Sequence, residues 1–200
     1  MSVDVPYDPT LSRCWWSGSS GTRPDPLMVV YHDDEWGMPC HDDVELFERL
    51  ALESFQAGLS WSTILRKRAA FRAAFQGFDP AVVAAFDDAD RDRLMADASI
   101  VRNRAKIDAT IRNAAGWLAL AAEFGSADAY LATMFPPPPT RLPLDATAAD
   151  IPVTTDASDR LSADLRRRGF RFVGSTIVYS FVQSVGLVDD HLPGCFRYAG

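Results

Sequence analysis

Metal binding is the first chemistry that the residue types of this chain suggest. His191 and Cys195 lie near the C-terminus, and the Pro-Gly between them lets both side chains face one ion. Cys14 and His32 flank an aromatic segment near the N-terminus and would complete the set, in competition with the adjacent pair Cys40-His41. Four protein ligands leave no position for water, so the hypothesis is a structural zinc ion that joins the two ends of the chain. The alternative is that His191 and Cys195 are unrelated loop residues.

One carboxylate and several large aromatic side chains suggest a second kind of site. Glu53 lies in an apolar helical stretch, where a buried carboxylate is costly unless it is paired or functional; a partly exposed helix glutamate is the commoner case. The aromatic residues either pack onto a helical body or line a concave site. A box of rings with one acid would suit a flat cationic ligand. The aromatic residues are Trp16, Tyr31, Trp36 and Trp61.

The elements that must position these residues are predicted to be helices. Apolar residues recur at helical spacing from Asp43 onward, with capping residues at the helix starts and glycines after several helix ends. The sequence contains no alternating strand pattern and no internal repeat, so the predicted class is all-α. The predicted helices cover 43–57, 61–75, 80–86, 88–97, 103–124, 127–134, 156–168 and 173–185.

The other segments are predicted to be irregular. Residues 1–13 are predicted to be flexible, and residues 17–26 form a Gly/Ser/Pro-rich loop between two aromatic motifs. The prolines Pro136 to Pro139 cannot be helical and predict a polyproline linker. The stretch from there to Thr155 lacks periodicity and is predicted to be a surface excursion without an assigned role.

Composition bounds the class of protein. At 200 residues with 48% hydrophobic residues, one globular domain with a sizeable core is expected. No apolar run is long enough to span a bilayer, and residues 1–9 lack the basic and apolar regions of a signal peptide, so a cytoplasmic location is expected. Three cysteines argue against a disulfide framework and fit a reducing compartment.

The distribution of charge bears on nucleic-acid binding. The net charge of −7 argues against a bulk nucleic-acid binder unless the cations are clustered. Three basic stretches are present, which are either solvated helix faces or parts of one cationic surface. They are Arg66-Lys67-Arg68 with Arg72; Arg102, Arg104, Lys106 and Arg112; and Arg166-Arg167-Arg168 with Arg171. Within the second, the turn from Ala98 to Lys106 joins two predicted helices and could present backbone N–H groups to a DNA phosphate, although a plain helical hairpin has the same pattern.

Five motifs in collinear order resemble the DNA-3-methyladenine glycosylase I family, within the helix-hairpin-helix DNA glycosylase superfamily. The likeness covers about residues 12–197, which predicts one glycosylase domain preceded by an extension at 1–11. The motifs are Arg13-Cys14-x-Trp16, Tyr31-His32-Asp33-x-Glu35-Trp36-Gly37, Leu52-Glu53-x-x-Gln56-Ala57-Gly58-Leu59-Ser60-Trp61, Arg168-Gly169-Phe170-x-Phe172-Val173-Gly174 and Asp190-His191-x-x-Gly194-Cys195.

The resemblance implies a helix-hairpin-helix glycosylase fold with a structural zinc and hydrolytic removal of N3-methyladenine from alkylated double-stranded DNA. It implies monofunctional chemistry, in which water attacks the sugar and no lysine forms a Schiff base. We expect a monomer that does not bind membranes. The implied zinc ligands are Cys14, His32, His191 and Cys195, the implied base-reading carboxylate is Glu53, and the implied pocket aromatics are Trp16, Tyr31 and Trp61, with Trp36 nearby.

Contacts with DNA are predicted for two regions. The loop from Gln56 to Leu59 is the predicted wedge that fills the gap left by an extruded nucleotide, and Arg102, Arg104 and Lys106 are predicted to contact phosphates. Ser99 and Ala105 stand where the family commonly carries glycines, so the detail of the phosphate contact differs. The alternative function is a non-catalytic binder of alkylated DNA, or of a purine base, on the same scaffold.

Overall fold

Helices form most of the molecule. The structure, a computed structural model, describes residues 8–18 and 25–198. Among these residues none of the helices is both long enough and apolar enough to cross a bilayer. The helices of the described part are α1 (Pro26–Asp34), α2 (Asp43–Gln56), α3 (Trp61–Ala74), α4 (Pro80–Ala84), α5 (Asp88–Ala96), α6 (Arg104–Phe124), α7 (Ala127–Ala132), α8 (Asp156–Arg167) and α9 (Ser175–Ser184). Short 3-10 turns lie at Trp15–Ser17, Gln76–Phe78 and Ala148–Asp150.

Helices α2 to α9 confirm the predicted pattern, with ends that lie within two residues of those predicted. Their starts are set by side chains that accept a hydrogen bond from a first-turn N–H: Asp42 for α2, Ser60 for α3, Asp79 for α4 and Asn103 for α6. Helix α8 begins in the same way, because the Thr155 side chain accepts from Ser158 N.

Helix α1 lies where no helix is predicted. Its apolar residues follow no one-sided pattern, so periodicity gives no signal for it. The start signal is nevertheless present, since Asp25 accepts from Leu27 N and Pro26 occupies the first turn, as Asp79 and Pro80 do for α4. Val29, Tyr31 and His32 of this helix are buried, so tertiary packing stabilises it.

The all-α prediction needs one small correction. Two strands of two residues each, β1 (Thr140–Arg141) and β2 (Val188–Asp189), pair in parallel, with Thr140 opposite Val188. An ion pair from Arg141 Nε to Asp189 Oδ2 of 3.2 Å joins the strands. Strands this short contain no alternation that a sequence pattern could reveal.

The core lies between α2, α6 and α9. Phe47 of α2, Trp117 of α6 and Phe181 of α9 are each at most 1% exposed, and the Trp117 indole donates to Asp43 O over 2.9 Å. Phe55 of α2 packs on Phe71 of α3 with ring centroids 4.6 Å apart. Burying such side chains removes the apolar face of α2 from water, which is the main stabilisation of this layer.

The two ends of the chain meet beside this core. Gly186 follows α9 with φ of 74°, and a Cβ there would lie 2.6 Å from the carbonyl carbon of Met38, so the turn after α9 packs backbone to backbone on the segment after α1. Of the segment predicted to be flexible, residues 1–7 lie outside the described part, as do residues 19–24 of the predicted loop. Arg13 does not follow that prediction: it is buried and pairs with Asp33 at 2.7 Å.

Candidate active site

Four cysteine and histidine side chains from the two ends of the chain converge. Cys14 precedes the first 3-10 turn, His32 lies on α1, and His191 and Cys195 follow β2. All four are buried, and their ligand atoms lie within 4.8 Å of one another. Cys14 Sγ lies 3.7 Å from His191 Nδ1, and Cys195 Sγ lies 3.4 Å from His32 Nε2 and 3.6 Å from His191 Nδ1. We call these four residues the clasp.

The donor set of the clasp fits a zinc ion. With Zn–S near 2.3 Å and Zn–N near 2.0–2.1 Å, a tetrahedral site requires sulfur–nitrogen separations of about 3.5–3.6 Å, close to the 3.4–3.7 Å observed. The other ring nitrogens are also engaged, since His32 Nδ1 lies 2.8 Å from Asp33 Oδ1 and His191 Nε2 lies 3.2 Å from Trp36 O. Such partners orient the rings that bind metals.

The competing pair Cys40-His41 is not part of the clasp. Cys40 is buried under α2, and burial raises the pKa of its thiol to about 11. His41 is exposed and its Nδ1 faces Asp128 Oδ1 at 3.1 Å. Adjacent residues point in different directions here, so the two side chains share no ligand position.

A pocket of about 410 Å³ opens beside the clasp. Its lining includes all five residues predicted for a base site: Trp16, Tyr31, Trp36, Glu53 and Trp61. Trp16 and Trp36 pack edge to face with ring centroids 4.8 Å apart, and Tyr31 and Trp61 are tilted by 52° with centroids 5.1 Å apart. The clasp and the pocket share one short segment, because Tyr31 of the pocket directly precedes His32 of the clasp.

Glu53 supplies the acid of this pocket. It lies on α2, is 4% exposed, and receives no hydrogen bond from any described residue. Burial raises the pKa of Glu53 to about 8, against a smaller lowering by the Arg49 charge. Burial, together with the Glu53 charge, also raises the pKa of Tyr31 well above its usual range. A pKa near 8 keeps most of the Glu53 side chain protonated at neutral pH.

The structure adds pocket residues that sequence reasoning misses. Trp15, Met28, Ser180 and Gln183 line the pocket, and so does the segment 148–153, which carries no role in the sequence-based interpretation. Ile151, Pro152 and Val153 close one side with apolar surface. No periodicity marks this irregular segment, and only its packing against the rest of the chain places it here.

The predicted wedge lies at the rim of the pocket region. Leu59 is 42% exposed, and Gly58 beside it has φ of 81° and open space around its α-carbon. Gln56 lines the pocket itself. Lys106 departs from its prediction: its ammonium is buried and donates to Phe55 O at 2.8 Å and to Ala57 O at 2.6 Å. These carbonyls at the end of α2 lack helical partners, so the lysine holds the wedge loop instead of facing a phosphate.

The predicted cationic surface is reduced by ion pairs. Arg66 pairs with Asp25, Arg68 and Arg72 with Glu48, Arg104 with Asp108, and Arg168 with Glu123. Lys67 donates to Ser99 O at 2.8 Å in the turn between α5 and α6. In the part of the chain that the structure describes, four cations near this turn besides the buried Lys106 have no carboxylate within ion-pair distance: Lys67, Arg102, Arg112 and Arg171.

Comparison with known proteins defines the class. A sequence profile described as methyladenine glycosylase matches residues 21–198. DNA-3-methyladenine glycosylase 1 of Escherichia coli (strain K12) is 45% identical over 190 residues, which covers 95% of this chain and 98% of the relative. DNA-3-methyladenine glycosylase of Haemophilus influenzae is 40% identical, covering 92% and 96%.

Solved structures agree with this match. A crystal structure of 3-methyladenine DNA glycosylase I superposes with a TM-score of 0.87 at 44% identity and covers 94% of this chain and 100% of the other. A variant of such an enzyme in complex with 3-methyladenine superposes at 0.86 with 38% identity, covering 92% and 97%. The chain therefore belongs to the methyladenine glycosylase family of DNA repair enzymes. Within that family its enzyme class is DNA-3-methyladenine glycosylase I, an N-glycosyl hydrolase.

Proposed function

We propose that this glycosylase hydrolyses the N-glycosidic bond of N3-methyladenine in alkylated double-stranded DNA, acting as a monomer on a base flipped into the aromatic pocket. One observation supports this most: a buried acid that has no hydrogen-bond partner among the described residues lies among aromatic rings in an open pocket. A relative of 38% identity is described in complex with 3-methyladenine. A flipped base needs stacking surface and a polar group for its edge, and this pocket offers both.

The acid selects for positive charge. N3-methyladenine in DNA is cationic, whereas adenine is neutral. At pH 7, which is about one unit below the pKa of about 8, ionising Glu53 costs about 1 kcal/mol. A cationic base about 4 Å from the ionised carboxylate is attracted to it by roughly 4 kcal/mol at an effective dielectric constant of about 20. Binding of the alkylated base therefore favours the ionised form of Glu53, whereas binding of the neutral, undamaged base does not.

Hydrogen-bonding groups remain available to fix the base. The Trp61 indole N–H has no partner among the described residues, and the Tyr31 hydroxyl has none there either. A charged Glu53 accepts hydrogen bonds, which suits the exocyclic amino group of adenine. A base that fills the pocket would accept hydrogen bonds from these donors. A buried donor without an acceptor costs free energy, so this pairing would favour binding.

Hydrolysis of this glycosidic bond requires little from the protein except correct positioning of the flipped nucleotide. A cationic purine is already an activated leaving group, so strong acid catalysis is unnecessary. We propose that water attacks the sugar directly. No lysine is among the described residues that line the pocket, which supports a monofunctional hydrolase without a Schiff base.

We propose that the clasp binds one structural zinc ion. Cys14, His32, His191 and Cys195 would supply all four ligands, so the metal would take no part in the reaction. Bound zinc would hold the segment of Trp16, Tyr31 and Trp36 against the end of the chain. The pocket would then keep its shape because the clasp holds three of its rings.

For DNA, we propose that Gln56 and Leu59 act at the gap and that Arg102 and Arg104 face phosphates at the α5–α6 hairpin. Lys106 would act through its hold on the wedge loop. The direct test is to incubate the enzyme with methylated duplex DNA and identify the released base. Release of 3-methyladenine supports the proposal, and tight binding of alkylated DNA without release would replace it with a non-catalytic binder.

Leu59→Ala is expected to lower excision from duplex DNA about tenfold. The leucine side chain would leave water for the space vacated by the flipped nucleotide, a burial worth roughly 1–2 kcal/mol. Excision from single-stranded methylated DNA, which has no stacked gap to fill, should change by less than twofold. Leu118→Ala is the matched control, because that leucine of α6 is 40% exposed, close to the 42% of Leu59, and does not line the pocket. Equal losses on both substrates would exclude the wedge role.

A further inference from the structure

The loop between α8 and α9 carries two exposed side chains that the pocket does not use. Phe170 and Val173 are each 1% exposed and anchor the loop, while Arg171 and Phe172 between them face outward. Phe172 is 36% exposed. The motif that contains this loop is prominent in the sequence, yet neither the clasp nor the base pocket accounts for its two outward residues.

Buried polar side chains from three helices hold the loop. Asn113 of α6 donates to Arg171 O at 2.9 Å and accepts from Arg171 N at 2.8 Å. Ser54 of α2 donates to Phe172 O at 3.0 Å, and Ser162 of α8 donates to Val173 O at 2.7 Å. All three side chains belong to residues at most 3% exposed. The loop is thus presented rigidly, so its outward side chains are preorganised for a partner.

The backbone of Phe172 is strained. Its φ is 54°, a region that bulky side chains rarely adopt and that glycine adopts freely. The core does not require the ring, because more than a third of the residue is exposed. An observed outlier of this kind points to a role for the side chain rather than to packing.

The position and charge of the loop match a phosphate backbone. Phe172 and Arg171 border a shallow depression of about 410 Å³ on the first turns of α6, with Ala105 and Arg112 on its other side. Arg112 and Arg171 have no carboxylate partner among the described residues. Asp108 also borders the depression, but it is shared by Arg91 at 3.1 Å and Arg104 at 3.3 Å.

The same loop lies close to the wedge. Ser54, which holds Phe172, neighbours Glu53 on α2, and Lys106 of α6 binds carbonyls at the end of that helix. The wedge loop, the start of α6 and the Arg171-Phe172 loop therefore surround one end of α2. A duplex that offers a flipped base to the pocket would pass over all three.

We propose that Arg171 and Phe172 form a second contact with the duplex: Arg171 and Arg112 bind a backbone phosphate, and the Phe172 ring stacks on a base left unstacked by the extrusion. The inference rests on the proposed base-flipping function and extends it. Stacking of a base on an aromatic ring tolerates any sequence, which suits an enzyme that must act at any damaged position.

The test uses the full-length protein and a duplex with one tetrahydrofuran abasic analogue, which mimics the opened helix. Phe172→Ala and Phe172→Gly should each weaken binding to this duplex by roughly 5- to 100-fold. The glycine variant also removes the backbone strain, so its melting temperature should match or exceed that of the alanine variant. Arg171→Gln should weaken binding to damaged and undamaged duplexes alike and reduce the slope of log K against log salt by about 1.

Leu118→Ala is the matched control, since this leucine is 40% exposed on α6 and makes none of these contacts. Binding of free 3-methyladenine should be unchanged in every variant, which separates a DNA contact from a damaged pocket. Abasic-duplex affinities of Phe172→Ala and Phe172→Gly within twofold of wild type would overturn the proposal. Release of 3-methyladenine by the wild-type enzyme is measured separately, so failure of the proposed function is distinguishable from failure of this contact.

Discussion

Glu53→Gln is expected to lower the release of N3-methyladenine from duplex DNA by roughly 100-fold and to make the protein more stable. Glutamine keeps an acceptor for the amino group of the base but loses the charge. The net attraction lost is the difference between roughly 4 kcal/mol of attraction and about 1 kcal/mol of ionisation cost. Single-turnover release of the base measures this loss, and Glu53→Ala, which also removes the acceptor, should lose more.

The stability gain should depend on pH in a defined direction. In the unfolded chain Glu53 loses its proton near 4.5, whereas in the folded protein it keeps the proton up to about 8. Between these values the folded state binds more protons, so wild-type stability falls as pH rises. The free energy of unfolding of the wild type should therefore be lower by about 3 kcal/mol at pH 7 than at pH 4 because of Glu53. Glutamine does not titrate, so the variant should not show this loss. Urea unfolding of both proteins at pH 5, 6, 7 and 8 should show a gap that widens with pH and levels off above 8.

Glu48→Gln is the matched control on the same helix. Glu48 is also buried, but Arg68 and Arg72 bind it at 2.6 Å and 2.8 Å. Removing this charge leaves Arg68 with Glu35 alone and the half-exposed Arg72 without a carboxylate, so this variant should be destabilised by roughly 1–3 kcal/mol. The change from glutamate to glutamine would then stabilise the protein at position 53 and destabilise it at position 48. A stability gap for Glu53→Gln that stays constant from pH 5 to 8 would contradict the protonated state of Glu53.

Removal of zinc from the clasp is expected to destabilise the protein and to open its pocket. Purified enzyme should contain one zinc per chain, and Cys195→Ser should contain little. A ligand present at about 1,000 times its Kd stabilises the folded state by about 4 kcal/mol, so at least this much stability should be lost. Metal analysis with urea unfolding, before and after a strong chelator, measures both quantities.

Loss of zinc should also alter the pocket, because the clasp orders the segment that contains the pocket residues Tyr31 and Trp36. Tyr31 directly precedes the clasp residue His32, and Trp36 O accepts from the ring of His191 at 3.2 Å. Hydrogen exchange should therefore increase over residues 25–36 in the zinc-free protein, and free 3-methyladenine should bind more weakly. Cys40→Ser is the control, since Cys40 is equally buried and lies outside the clasp. Metal-free protein with wild-type stability and base affinity would mean that the four side chains are only core residues.

Much of this protein is determined by local sequence. The starts of α2, α3, α4 and α6 follow from capping side chains, and a cap acts within three residues, so the sequence alone predicts them. The ligand types of the clasp and the identity of Glu53 are also visible in the sequence, because their chemistry belongs to the residues themselves.

Tertiary structure decided the remainder. Apolar spacing does not predict α1, because residues far along the chain bury it, and nothing local brings residues 148–153 to the pocket. Lys106 has the sequence pattern of a phosphate ligand, but the open carbonyls at the end of α2 lie within its reach and bind it instead. The unusual pKa of Glu53 likewise depends on what surrounds it. Burial and long-range contacts are properties of the packed chain, and local sequence signals carry no record of them.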